Sequence, residues 1–183
     1  MTIFGDSVAS ALNWDATARD VLEQDNRVTF DLAPCRRLWT PGCLTPPPPS
    51  MLQDVQKMGR RIGPTVVALV GYNDDPHTFA DGFGRTLKAL RADGVQHVLW
   101  LTLRQVYPVY AETNATIRAA ARKRPWMKVV DWNAYSEGHS TWFASDGIHL
   151  SSEGAVEFAI FVHRTLKRYG LTGPPKVPPP GIW

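Results

Sequence analysis

No apolar run in these 183 residues reaches the ~18 that a membrane-spanning helix requires, so no membrane span is expected. Cysteine is scarce. The only two, Cys35 and Cys43, stand in a stretch rich in Pro and Gly with no histidine nearby. Two cysteines without histidine partners do not make a zinc set, and no metal or cofactor is expected. The pair either closes a short disulfide or remains as free thiols. The disulfide is the expectation, because this irregular segment has little else to hold it, and it would suit an oxidising compartment. Excess charge is also scarce: the net charge is +3. Lys and Arg are scattered, and the densest cluster, Arg122-Lys123-Arg124, falls at the end of a helical stretch, where cations suit the helix dipole. No nucleic-acid partner is expected. No internal repeat is visible. No signal peptide is expected, since Gly5-Asp6-Ser7 follows after only four residues. Secretion or the cell envelope is expected if the chain is a trimmed piece of a longer protein, and the cytoplasm otherwise.

What is present is ordinary for a soluble globular protein: 44% hydrophobic and 20% charged residues, enough chain for one domain with a real core. Short apolar runs at 2–4, 28–32, 65–70, 97–103 and 127–132 lack strict alternation, as expected of strands buried on both faces. Between them lie stretches with helical spacing at 8–22, 50–61, 78–92, 109–124 and 151–169. Gly94 and Pro125 are expected stops, and Ser151 an expected N-cap. Strands alternating with helices predict an α/β fold, a three-layer α/β/α sandwich around a five-stranded parallel sheet. The domain is expected to span 1–172. Residues 173–183, rich in proline and without periodicity, read as an extended tail. A monomer is expected.

In parallel sheets ligands bind beyond the carboxyl ends of the strands. The residues able to do chemistry all fall there. Ser7, in Gly5-Asp6-Ser7, follows the first strand. Gly71-Tyr72-Asn73-Asp74 follows the third. Asp146-Gly147-Ile148-His149 follows the fifth and precedes the last helix. A serine hydroxyl needs a base to become a nucleophile, and histidine is the usual one near neutral pH. An acid must orient the imidazole and stabilise its charged form. The Asp146–His149 spacing, with Gly147 permitting a tight turn, can put both side chains on one side. Asn73 can aim an amide at charge developing on a substrate oxygen, or can simply form a turn. His77, His97, His139 and His163 are expected to be structural or solvated. A metal held by His149, Asp146 and His139 is the rival chemistry, without a compact ligand set to support it.

These three segments, in this order, resemble the blocks of the SGNH hydrolase superfamily, the GDSL esterases and lipases, across nearly the whole domain. The chain is also similar to SGNH domains of actinobacterial cell-envelope acyltransferases. The resemblance implies a flavodoxin-like sheet, with Ser7 as nucleophile, His149 as base and Asp146 as its partner. It implies an oxyanion hole from the Ser7 N–H, the Asn73 amide and one backbone donor after the second strand. That last block departs from the usual glycine. By position Cys35 supplies the donor, with Gly42 as the alternative.

The expected substrate is a small-molecule or glycan ester, with Asp6, Gly71, Tyr72 and Trp142 as substrate contacts. Trp39, Tyr72, Tyr107, Trp142 and Phe143 either line the cleft, stacking on sugars or holding an acyl group, or pack the core. No broad apolar stretch or lid suits a long lipid chain, so a short acyl group on a carbohydrate is expected. Three activities follow: a serine-dependent carbohydrate esterase, an O-acyltransferase with the same triad, or a silent carbohydrate-binding module.

Overall fold

The computed structural model describes residues 1–173. Beyond Gly173, the expected Pro-rich tail lies outside the described residues. Five strands, β1 (Thr2–Gly5), β2 (Thr29–Leu32), β3 (Thr65–Leu69), β4 (His97–Leu101) and β5 (Met127–Val130), form one parallel sheet in the order β2-β1-β3-β4-β5. The helices are α1 (Ala16–Glu23), α2 (Met51–Met58), α3 (Pro76–Ala92), α4 (Pro108–Arg122), α5 (Trp132–Tyr135) and α6 (Ser152–Arg168).

Alternate strand residues face opposite layers. Ile3, Val67, Leu69, Leu99 and Leu101 pack with α1 and α6, whose Ala18, Leu22, Phe158 and Val162 are buried. Phe4, Val66, Ala68, Val98 and Trp100 pack with α2, α3 and α4 through Val55, Phe83, Leu87 and Ile117. Each Val, Leu, Ile or Phe among them contributes about 1.5–3 kcal/mol by leaving water. This accounts for the unbroken apolar runs in the strands and the three layers.

Local chemistry sets the boundaries. The helix expected over 8–22 is two pieces. A 3-10 turn at Ala9–Asn13 ends before Asp15, whose side chain caps α1 by accepting from the Ala18 N–H at 2.9 Å. An aspartate stabilises a helix better as a cap than inside it. Ser50 opens α2 with a reciprocal capping box to Gln53, and Ser151 caps α6 from the Gly154 N–H at 3.1 Å. β4 stops short of Leu103 because the Asn114 side chain takes both its N–H and its carbonyl, each at 2.7 Å. β5 stops at Val130 because Asp131 caps the short α5. The order of strands reverses between β1 and β3, so a crevice opens beyond their carboxyl ends.

Candidate active site

The chain turns sharply out of β1. A Cβ on Gly5 would lie 2.4 Å from the Ala9 Cβ and 2.9 Å from Leu32 Cδ2, so only glycine allows the following residues to fold back so closely. Asp6 is fully buried, and its carboxylate accepts from the Val8 N–H at 3.1 Å and the Tyr72 N–H at 3.3 Å. It ties the loop after β1 to the loop after β3. Lost hydration pushes the Asp6 carboxyl up to about 7, with the Asp74 charge adding to the rise and the amide hydrogen bonds opposing it. Asp6 therefore supports the turn that carries Ser7. Its side chain is sealed from solvent, whereas the expectation placed it against substrate.

Ser7 emerges partly exposed from this turn. Its hydroxyl meets His149 Nε2 at 2.9 Å, across 142 positions of sequence. His149 Nδ1 meets Asp146 Oδ2 at 2.6 Å. With the Nδ1 hydrogen donated to the carboxylate, Nε2 presents its lone pair to the serine hydroxyl. The remaining Asp146 oxygen accepts from the Ile148 and His149 N–H groups at 2.8 and 3.0 Å. This tight turn passes through Gly147 at φ +70°, a conformation that favours glycine. Partial burial would raise the Asp146 carboxyl, but the His149 ring and the two amides outweigh it and hold it at about 2. The Arg104 guanidinium donates to the Gly147 carbonyl and lies 3.9 Å above the Phe143 ring, bracing the loop from behind.

The opposite side of the serine is built from the loops after β2 and β3. Cys35 and Cys43 are disulfide-bonded, with Cα atoms 5.3 Å apart. Cys35 has φ +59°, the one non-glycine residue at positive φ among those described, and no hydrogen bond among them claims its N–H. The Gly42 N–H is committed to the Pro48 carbonyl at 3.2 Å, which removes the alternative donor. The Asn73 amide spends one hydrogen on the Arg36 carbonyl at 3.1 Å and has a second to offer. Both Asp74 oxygens accept from the Leu38 N–H, at 2.9 and 3.0 Å, and Arg37 donates to the Asn73 carbonyl at 2.9 Å. Burial pushes the Asp74 carboxyl up to about 6, against the Leu38 hydrogen bond.

The expected aromatic wall is largely internal. Trp142 is 6% and Phe143 7% exposed. Both rings pack near Trp132, and His139 stacks on Trp142 at 3.8 Å, so Trp142 belongs to the core beneath the histidine loop rather than to a binding surface. Trp39 lies against Gly82 of α3 with Arg85 over it. Gly71 is buried, and a Cβ there would press on Leu103, Phe79 and Thr113. The Tyr72 hydroxyl accepts from the Arg104 N–H at 2.7 Å and its ring meets Tyr110 edge-on at 5.0 Å. Tyr107 is exposed.

The sequence reading missed Arg104, Asn133, Tyr110 and Arg36. Arg104 and Asn133 each lie three residues beyond the ends of β4 and β5, on the same sheet edge as Ser7, and that position was the available signal. Tyr110 lies in the first turn of α4, with its ring against Tyr72. Arg36 sits beside Cys35 and is nearly sealed, with its guanidinium on Asp31 at 2.5 Å and Asp54 at 2.6 Å.

Superposition on solved structures gives the class of fold: the chain has the SGNH hydrolase fold. The lipase/acylhydrolase from Enterococcus faecalis superposes with a TM-score of 0.70 at 15% identity, covering 96% of this chain and 98% of that one. A carbohydrate esterase of family 3 from Talaromyces cellulolyticus superposes with a TM-score of 0.65 at 12% identity, covering 92% and 96%. In sequence, the chain is 29% identical over 130 residues to the O-acetyltransferase OatA of Staphylococcus aureus (strain NCTC 8325 / PS 47), covering 68% of this chain and 19% of that protein. The chain spans only about 12% to 19% of the length of the curated relatives it matches. No protein-family model matches the chain.

Proposed function

We propose that residues 1–172 form a serine-dependent carboxylic ester hydrolase domain that acts on a short-chain O-acyl ester of a carbohydrate through an acyl-enzyme. The Ser7–His149–Asp146 chain of hydrogen bonds, at 2.9 and 2.6 Å, carries this reading. Ser7 Oγ attacks the acyl carbon while His149 Nε2 takes the hydroxyl proton. Asp146 holds the ring and balances its positive charge. The oxyanion is received by the Ser7 N–H, the Cys35 N–H and the Asn73 amide. The bond to the sugar oxygen then breaks, and His149 gives that oxygen its proton. A water molecule, losing a proton to His149, attacks the acyl carbon; the bond from that carbon to Ser7 Oγ breaks, the carboxylic acid leaves, and His149 returns the proton to Ser7 Oγ.

The likeness to an O-acetyltransferase supports a second reading, in which a sugar hydroxyl replaces water in the last step. The silent-module reading is disfavoured, since a binding surface has no use for an aligned serine, histidine and carboxylate. The disulfide supports an oxidising compartment, outside the cytoplasm or in the envelope. Among the described residues no helix is long and apolar enough to cross a membrane.

Turnover of p-nitrophenyl acetate tests the enzyme reading. Ser7→Ala lowers kcat by at least ~10³-fold while circular dichroism stays unchanged. Unchanged turnover in that variant removes Ser7 from the chemistry. Acetyl consumption that rises with added sugar acceptor selects transfer over hydrolysis.

A further inference from the structure

We infer that the polar hollow beside the histidine loop is a sugar subsite, which holds a neutral hexose next to the acylated one. The inference rests on the proposed carbohydrate-ester reading and adds where the glycan runs.

The direction comes from the proton. His149 must protonate the leaving sugar oxygen, or deprotonate an accepting one, so the carbohydrate lies on the side of the acyl carbon that faces His149. The candidate oxyanion donors Cys35 and Asn73 belong to the loops after β2 and β3, and the histidine loop belongs to the other end of the sheet edge. A glycan that extends past the acylated unit on the His149 side meets the loops after β4 and β5.

A hollow of about 300 Å³ opens there, lined by Arg104, Gln105, Val106, Asn133, Glu137 and Gly138. It adjoins the catalytic loop directly. Arg104 donates to the Gly147 carbonyl, and Val106 Cγ1 lies 3.3 Å from where a Cβ on Gly147 would stand. The volume is at the lower end of the range for ligand pockets, suited to one ring rather than a long chain. The Gln105 N–H donates to Asn133 Oδ1 at 2.7 Å, which joins the two walls.

The lining chooses the ligand. Gln105, Asn133 and Glu137 offer donors and acceptors together, as a ring of hydroxyls requires. Val106, 38% exposed, adds apolar surface to the lining for the C–H face of a sugar. A fatty acyl chain is a poor match for this polar lining. An anionic ligand is also a poor match, because Arg104 is already engaged with Gly147 and Phe143, and Glu137 repels it.

The test uses Gln105→Ala/Glu137→Ala, whose side chains are exposed and outside the triad. Three ester substrates are compared: p-nitrophenyl acetate, a mono-acetylated methyl hexoside and a mono-acetylated β-1,4-linked hexose trimer. The double variant keeps wild-type kcat/KM on the first two and loses about 10-fold on the trimer, through KM, as expected for one or two lost hydrogen bonds. Calorimetry of unacetylated cellotriose and the N-acetylglucosamine trimer with Ser7→Ala reads binding without chemistry. Binding of either trimer that weakens in the triple variant supports the subsite. Equal effects on methyl hexoside and trimer, or no binding of either trimer, overturn it. If calorimetry shows the binding while wild type fails to hydrolyse p-nitrophenyl acetate, the subsite stands and the esterase reading falls.

Discussion

Asp6 carries a carboxyl group sealed from water beside the residue that does the proposed chemistry. Its folded-state value, about 7, lies above the ordinary aspartate value of about 4. The stability it contributes is therefore complete below about pH 4 and is lost as pH rises to about 7. Asp74, raised to about 6, acts in the same direction over the lower part of that window. Asp6→Asn cannot ionise and keeps only one acceptor, so it gives up the hydrogen bond from Tyr72 or Val8. Urea midpoints of wild type and Asp6→Asn, measured from pH 4.5 to pH 8, should converge as pH rises, because only the wild type loses this stabilisation. A constant difference across the range would show that Asp6 does not titrate there. Asp146 behaves oppositely. Held at about 2, it stays ionised at any pH above about 3 and keeps its hold on the His149 ring. Asp146→Asn removes the charge that balances the imidazolium but leaves the two amide contacts within reach of its oxygen. Turnover of p-nitrophenyl acetate should fall by roughly 10- to 10³-fold, less than in His149→Ala. An equal loss in both variants would mean that nothing else can orient the ring.

The elements that hold the site differ in how plainly the sequence announces them. Strands and major helices were legible because a sheet buried on both faces needs unbroken apolar runs, and helices need a stripe at helical spacing. Ser151 as the cap of α6 was legible for the same local reason. The break before Asp15 was not, since apolar spacing continues across it and only the side-chain cap ends the turn. Leu103 and Trp132 read as strand because they are apolar, yet Asn114 and Asp131 claim the backbone there. The same limit applies at the site. Ser7, His149 and Asp146 sit in short motifs, whereas Arg36 acts through contacts made only in the folded chain. The Arg36 guanidinium holds Asp31 at the end of β2, Asp54 of α2 and the Pro49 carbonyl, and so anchors the loop that presents Cys35. Burial and the Asp31 charge push the Asp54 carboxyl up, against the pull of Arg36. Arg36→Ala leaves two carboxylates facing each other and should cost about 3–5 kcal/mol by urea unfolding at pH 7. A cost below about 1 kcal/mol would mean that water takes over the role of the guanidinium.

At the scale of the whole molecule, the site is assembled from distant parts of the chain. Ser7 comes from the first strand and His149 from the turn before the last described helix, and only the parallel sheet brings them together. The reversal of strand order between β1 and β3 opens the crevice. In the proposed reading the oxyanion donors come from the loops after β2 and β3, and the alcohol side lies at the loops after β4 and β5. The central claim is that an acyl group passes through Ser7. It is tested most directly by quenching the protein with acid within the first turnovers of p-nitrophenyl acetate and measuring the masses of its peptides. The account predicts one acetyl group on the peptide that carries Ser7, and none on that peptide in His149→Ala. Turnover with no acetyl on Ser7, or with the acetyl on another residue, would contradict it.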